Sequence, residues 1–568
     1  MVMKQHDWGF TLKSDSVEFD FISEIIPLQS GNVYQISGIG KIPVPDTKIG
    51  DRLLLPINDG MAISVEREYE KGELATDIYG GTFCGREGTL GMVILERHGK
   101  YLLIKVEDTA YSSYLAKRDP DIYKLSIFAE KYTIVTYAIF DTLVKACQFY
   151  RNTKGKEFVS LTEKINQNEN IKELVGGGIF WIWNDNYDKV MYSDCDTDIC
   201  PNTGEGLEII AADLHKNGVE RAMFGMFFDG DSEYVEKLYK DYGYIATQYD
   251  NYNDVLNAEL LNIIPNNRVK NCSYTFRRMK DYPEGVAVTK EGKLAEAWAL
   301  RGFDGKMHPQ NTLCPVVAAE RMKKEIAEVL KQYPYYKGRF IDVYGTYLNE
   351  CYNPEHPLSL NECKDVKNNA FRSLKDMGLI IGTEECMEDI LDNLDYSEGL
   401  HSPVYFRILD AGRAHAHVCS QEQTEFIKKY MMNPECRVPL WELVYHECMI
   451  IFPYWGDSTE MNPDLYREKI LFACLYGCAP LYSFMLKDYL KLKPIILSSY
   501  HKITNIHKQT AELPMTDFEI ISDDYKLQRS VFGNQFEVIV NFSEQERDYR
   551  ENKIPAKDVY FGKIKKGE

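Results

Sequence analysis

The chain has no run of about 18 or more apolar residues, so nothing in it reads as a transmembrane helix. Its first residues, MVMKQHDWGFTLKSDS, carry neither an apolar core nor a small-residue cleavage site. The expectation is therefore a cytoplasmic protein, or a secreted one if a leader has been trimmed away. Positive charge is also in deficit. Lys and Arg total 66 against 86 Asp and Glu, a net charge of −20, which repels a phosphate backbone and argues against a nucleic-acid partner. No internal repeat, low-complexity tract or glycine-rich phosphate fingerprint stands out, and no Gly-x-Ser-x-Gly elbow supports a serine hydrolase.

What is present is the balance of a folded globular protein, 44% hydrophobic and 27% charged residues. At 568 residues the chain exceeds one ordinary core, and about 150 residues per domain gives several units. The 14 cysteines are scattered through segments that read as helices and strands, as reduced thiols would be. Aromatic residues reach 12%, including 39 Tyr, and a flat ring with a polar tip suits the face of a sugar as well as a core.

Hydrophobic patterning divides the chain into three parts. Residues 1–165 read as an N-terminal β-sandwich, with strand-like runs at Val33–Ile36, Arg52–Pro56, Met92–Glu96 and Tyr101–Val106 and turns such as Asn58-Asp59-Gly60. A helical pattern follows over Thr136–Tyr150. Residues 166–510 alternate apolar runs with amphipathic helices. Strands are predicted at Gly178–Trp183, Ala222–Phe228, Tyr244–Tyr249, Arg339–Val343, Leu379–Thr383, Val404–Leu409 and Leu443–Phe452. Helices are predicted at Leu207–Asn217, Ser232–Tyr242, Val316–Gln332 and Asn361–Met377. Such alternation predicts parallel strands with crossover helices and a (β/α)8 barrel, reaching eight strands if a weak one at Glu296–Leu300 is counted. Residues 511–568 return to β, with Gly533-Asn534 as a hairpin turn, and predict a small C-terminal β-sandwich. The fold class is thus multidomain α/β, a central barrel flanked by β-sandwiches.

Barrel active sites gather at the C-terminal ends of the strands. Arg339–Gly345 is an apolar strand with Asp342 near its tip, and Leu379–Glu385 ends the next strand with Glu384 and Glu385. Two acids on successive strand tips match the demand of glycoside hydrolysis for one carboxylate as nucleophile or base and one as proton donor. The spacing alone also allows each acid to cap a helix or order a loop. Other tips are polar and aromatic, which suits a polyhydroxylated ligand. Trp183, Asp250, Asn251, Tyr252, His446, Trp455 and Asp457 are the candidate sugar contacts.

Rival motifs fail in detail. Asp194, Asp196, Asp198 and Glu205 have EF-hand spacing, but Ile199 stands where the tight turn needs Gly. His446-Glu447 is not a zinc-protease helix, because Ile450 occupies the place of the second His. His415, His417 and Cys419 lack a companion cysteine pair.

The ordered set Tyr249–Tyr252, Arg339–Gly345, Ile381–Glu385, Arg437–Glu447, Tyr454–Asp457 and Leu475–Leu481 resembles glycoside hydrolases related to families 101 and 129 over roughly residues 170–500. The resemblance implies a retaining α-glycosidase for α-linked N-acetylgalactosamine or galactose on oligosaccharides or glycopeptides. It implies Asp342 as nucleophile and Glu384 as acid/base, with Glu385 in reserve. Along a strand the two glutamates point to opposite sides, so one of them faces the pocket. No cofactor is required. The resemblance implies that a structural calcium ion is possible, with no ligands placed and no metal residues assigned. The alternatives are an α-glycosidase for another sugar, such as an α-galactosidase, or a non-catalytic carbohydrate-binding protein on the same scaffold.

Overall fold

A computed structural model describes residues 1–66, 82–84, 88–108, 111–119, 121–183, 206–226, 232–264, 279–346, 348–401, 425, 428–429, 431–453 and 463–564. Eight parallel strands form the centre: β1 (Gly178–Trp183), β2 (Ala222–Met226), β3 (Ile245–Asn251), β4 (Gly338–Asp342), β5 (Ile380–Cys386), β6 (Tyr396–Leu400), β7 (Ile450–Phe452) and β8 (Leu481–Met485). They run in the order β7-β6-β5-β4-β3-β2-β1-β8. The Ala479 N–H to Ile451 C=O bond, 2.9 Å, bridges the gap between β7 and the start of β8. The result is a near-closed, TIM-like barrel. Strand β1 is buried along its whole length because helices cover its outer face and other strands its inner one, which explains its unbroken apolar run.

The crossover helices begin where local chemistry allows. Helix α1 is Leu207–Lys216 and α2 is Ser232–Tyr242. Helix α3 (Pro315–Gln332) opens on a proline, whose missing N–H costs nothing in the first turn. Helix α4 (Leu360–Lys375) has a capping box. Ser359 Oγ accepts from Glu362 N, and the Glu362 carboxylate accepts from Ser359 N at 2.8 Å. The chain continues through α5 (Leu440–Tyr445), α6 (Pro463–Tyr476) and α7 (Tyr489–Thr510).

Antiparallel sheets lie at both ends of the chain. The N-terminal part has a three-stranded and a nine-stranded sheet, and the C-terminal part has a four-stranded and a two-stranded one. The N-terminal sheets lean on the barrel through a buried ion pair between Asp59 and Arg437, and through Asn58 N–H to His401 C=O at 3.0 Å. The C-terminal sheet contains the expected hairpin, with Gly533 and Asn534 both at positive φ. It docks by Ser530 Oγ donating to Leu475 C=O and Gln528 Nε2 donating to Pro434 C=O.

Several expected elements move. The helix placed at Thr136–Tyr150 is Leu143–Asn152, because residues to Phe140 complete a 19-residue strand. Glu296–Arg301 is no barrel strand, since it pairs with Met307–Thr312 in a separate antiparallel sheet. The seventh barrel strand shortens to Ile450–Phe452, the residues before it forming α5 and a 3₁₀ turn. The sixth and eighth barrel strands are Tyr396–Leu400 and Leu481–Met485, neither of which was predicted. Val404–Leu409 lies outside the described residues. Among the described residues no helix is long and apolar enough to cross a membrane.

Candidate active site

Alternate residues of the eight strands fill the barrel lumen. Ile179, Met223, Ile245, Phe340, Ile380, Tyr396, Ile450 and Leu481 pack there with Trp181 and Trp183 in one apolar cluster. The same parity carries Tyr249, Asn251, Asp342, Glu384 and Glu398 to the C-terminal mouth. Space is made by glycines. A Cβ on Gly225 would lie 2.2 Å from the Trp181 ring, and one on Gly382 would lie 2.1 Å from that of Tyr396.

Strands β4 and β5 are in register, Ile341 opposite Thr383, so Asp342 and Glu384 are neighbours on the same face. Their carboxyls hydrogen-bond to each other. Thr383 Oγ1 donates to Ile341 C=O at 2.8 Å and accepts from Gly345 N–H at 3.1 Å, which pins the two strand tips together. Tyr249 O–H donates to Asp342, and Asn251 Nδ2 donates to the same oxygen at 3.2 Å and to Asp254 at 3.0 Å. Burial, followed by the charge of Glu384, pushes Asp342 well above the usual carboxylate range.

The backbone bends immediately after each acid. Val343 has φ +45° and Glu385 has φ +49°, a left-handed conformation that is costly for a β-branched valine. Tyr344 N–H closes back on Asp342 C=O at 2.6 Å. Glu384 is half-buried at the mouth, while Glu385 is fully buried.

A third acid completes the cluster. Glu398 on β6 sits opposite Glu384 in register and accepts the Trp181 indole N–H at 2.8 Å. Burial pushes its pKa up to about 8, the Trp181 bond opposes that, and the Glu384 charge adds to it. Trp181 meets Phe340 edge-on at 5.6 Å and Tyr249 edge-on at 6.4 Å, giving the acids an aromatic floor.

The expected sugar contacts divide. Trp183 lies in the lumen, stacked on Trp181 at 6.0 Å, with its N–H on Ser483 Oγ at 2.9 Å. Asn251 reaches Asp342, as above. Asp250 does not face the lumen. It points outward from β3 and pairs with buried Arg339 at 3.3 Å. Tyr252 is 1% exposed and packs in the large core beyond the strand end, out of reach of a ligand in the lumen. His446 precedes β7 and so lies at the N-terminal end of the barrel, against Leu513 C=O at 2.8 Å and the Phe532 ring at 4.7 Å. Trp455 and Asp457 lie outside the described residues, as do the Asp194–Glu205 segment and the His415, His417 and Cys419 group. Sequence reading missed Tyr249, Trp181 and Glu398. Counting by twos from Asn251 selects Tyr249 and rejects Asp250 and Tyr252, a signal that was available.

Among the described residues one group of metal-ligating side chains comes together, Cys314, Cys351 and His356. Thiols and imidazole do not suit calcium, which prefers oxygen ligands.

The family model of glycosyl hydrolases related to the GH101 family, GH129, matches residues 411–531. The likeness is to glycoside hydrolases. No curated protein matches the chain. Among solved structures, the ligand-free α-N-acetylgalactosaminidase NagBb from Bifidobacterium bifidum is similar at a TM-score of 0.68 and 16% identity, over 95% of this chain and 98% of that one. Its Gal-NHAc-DNJ complex gives 0.66 at 16% identity, over 98% and 96%. Its GalNAc complex gives 0.65 at 16% identity, over 94% and 96%. At this identity the structural likeness shows a shared fold, and with the family match it supports a glycoside hydrolase related to families 101 and 129.

Proposed function

We propose that the chain is a retaining α-glycosidase that releases α-linked N-acetylgalactosamine or galactose from oligosaccharides or glycopeptides. The observation that carries this reading is the placement of Asp342 and Glu384 side by side on neighbouring strands at the barrel mouth. An inverting pair needs about 6.5–9.5 Å between carboxyls to admit a water, whereas a retaining pair stands about 5–5.5 Å apart. Two acids side by side on adjacent, in-register strands favour the shorter spacing.

The surroundings bear on the charge of Asp342. Tyr249 and Asn251 both donate to Asp342, and such bonds favour its ionised form. The proposed mechanism requires Glu384 to enter the first step protonated. Asp342 attacks the anomeric carbon as the glycosidic bond breaks, and Glu384 protonates the departing oxygen. Glu384 next takes a proton from water, whose oxygen displaces Asp342 from the sugar with overall retention. The aromatic floor and Trp183 offer apolar faces to the ring. No metal or cofactor enters this sequence of steps. The described free cysteines are all buried, which agrees with an enzyme working in a reducing compartment on imported oligosaccharides.

The test is a panel of p-nitrophenyl α-glycosides followed by proton NMR of the first product. Release from the α-N-acetylgalactosaminide or α-galactoside, with the α-anomer appearing first, is the expected result. Binding of these sugars without release from any member of the panel would leave a carbohydrate-binding protein instead. An initial β-anomer would refute the retaining mechanism.

A further inference from the structure

We propose that Cys314, Cys351 and His356 form a binding site for a soft divalent cation of the zinc class, behind the loop that follows Asp342. The ligand atoms of the three residues all lie within 4.8 Å of one another. Cys351 Sγ and His356 Nδ1 are 3.3 Å apart. A tetrahedral ion with Zn–S near 2.3 Å and Zn–N near 2.0–2.1 Å places its ligand atoms about 3.5–3.8 Å from each other, so a small adjustment admits it.

The imidazole is already oriented for this task. His356 Nε2 lies 2.8 Å from the Glu284 C=O, an acceptor only, so that nitrogen carries the hydrogen. Nδ1 is left with a lone pair directed at the thiols. This is the outer-shell arrangement that fixes the tautomer of a metal-bound histidine. Cys314 is the N-cap of α3. Burial holds its thiol up at about 12, and the amides of Val316 and Val317 pull the other way. Both cysteines are buried and free, while His356 is half-buried and offers the ion a way in. Cys363 is not part of the set, since its Sγ takes the Asn349 N–H at 3.5 Å. Three protein ligands leave a fourth position for water.

The ion would join the N-terminus of α3 to the segment that leaves β4. Tyr344, two residues after Asp342, already makes the same connection by donating its O–H to Pro315 C=O at 3.2 Å. The proposal does not rest on the glycosidase reading, and its readout is metal binding rather than turnover.

The experiment titrates the reduced full-length chain with Zn(II) and, separately, Co(II). One equivalent per chain is expected, and cobalt should show thiolate charge-transfer absorption with the strong d–d bands of a tetrahedral site. C314S, C351S and H356A should each weaken zinc binding by at least about 10–100-fold, the loss that even an outer-shell change brings. The variants' far-UV circular dichroism reports that they are folded. Uptake well below one equivalent by the reduced wild-type chain would overturn the proposal. So would cobalt bands that persist in the folded triple variant C314S/C351S/H356A, because the ion would then sit elsewhere.

Discussion

Trp181 donates its indole N–H to the Glu398 carboxyl at 2.8 Å, and Glu398 lies in register with Glu384 on the neighbouring strand. A buried acid is thereby built into the wall of the lumen within the field of the candidate proton donor. Burial raises its pKa to about 8, which favours the neutral acid.

Glu398 titrates in the unfolded chain near 4.5 and in the folded chain near 8. Its raised pKa means the folded state holds the extra proton, so its contribution to stability is complete below about 4.5 and is lost as pH rises through about 8. E398Q should therefore melt higher than the wild type above about pH 8, with the difference closing toward pH 4.5. Differential scanning calorimetry across that range is the check.

Replacing Glu384 by Gln removes the proposed proton donor and keeps the shape. Turnover of glycosides with poor leaving groups should fall by about 10²–10⁴-fold, the usual value of general acid–base catalysis. Aryl glycosides whose leaving group needs no proton should lose far less at the first step. Steady-state kinetics on both substrate types separate the two outcomes. D342N should abolish turnover on both, and mass spectrometry with a slowly released fluorinated glycoside should find the label on Asp342 of the wild type only.

The Tyr249 hydroxyl holds the Asp342 pKa down against burial and the charge of Glu384. Y249F removes that donor, so the Asp342 pKa should rise and the acid limb of the kcat/KM profile should move to higher pH. An unmoved limb would mean that the limb reports another group.

Asp59 and Arg437 form an ion pair whose side chains are 4% and 1% exposed, joining the N-terminal sheet to the barrel. Truncating one partner of such a pair strands the other charge, at a cost of about 3–5 kcal/mol. D59A should show that loss in urea unfolding, together with easier proteolytic release of the N-terminal part.

At Gly225 the added methyl of alanine would meet the Trp181 ring. G225A should destabilise the chain by about 1–3 kcal/mol through overpacking. Because Trp181 floors the site and holds Glu398, turnover should fall as well, which an activity assay at matched folded fraction can show.

Much of this organisation was readable from patterning. Continuous apolar runs such as Gly178–Trp183 reveal strands covered on both faces, and the hairpin at Gly533-Asn534 announces itself by residue type. Strand β6 was hidden because its residues, Tyr-Ser-Glu-Gly-Leu, do a lumen strand's work with polar groups. Glu398 stayed invisible for the same reason: a buried acid looks like any other acid until its neighbours are known. His446 misled because a polar residue beside an apolar run looks like a strand tip, and sequence alone does not say which end of the run it occupies. Asp250 misled because proximity to Asn251 was read without the two-residue period that turns the side chains apart.

The left-handed residues Val343 and Glu385 separate geometry from ornament. Because the backbone turns immediately past Asp342 and Glu384, insertions or deletions farther along either loop need not rotate the two carboxyls. A lineage built on this frame can exchange its outer segments while the two acids stay where the backbone has set them.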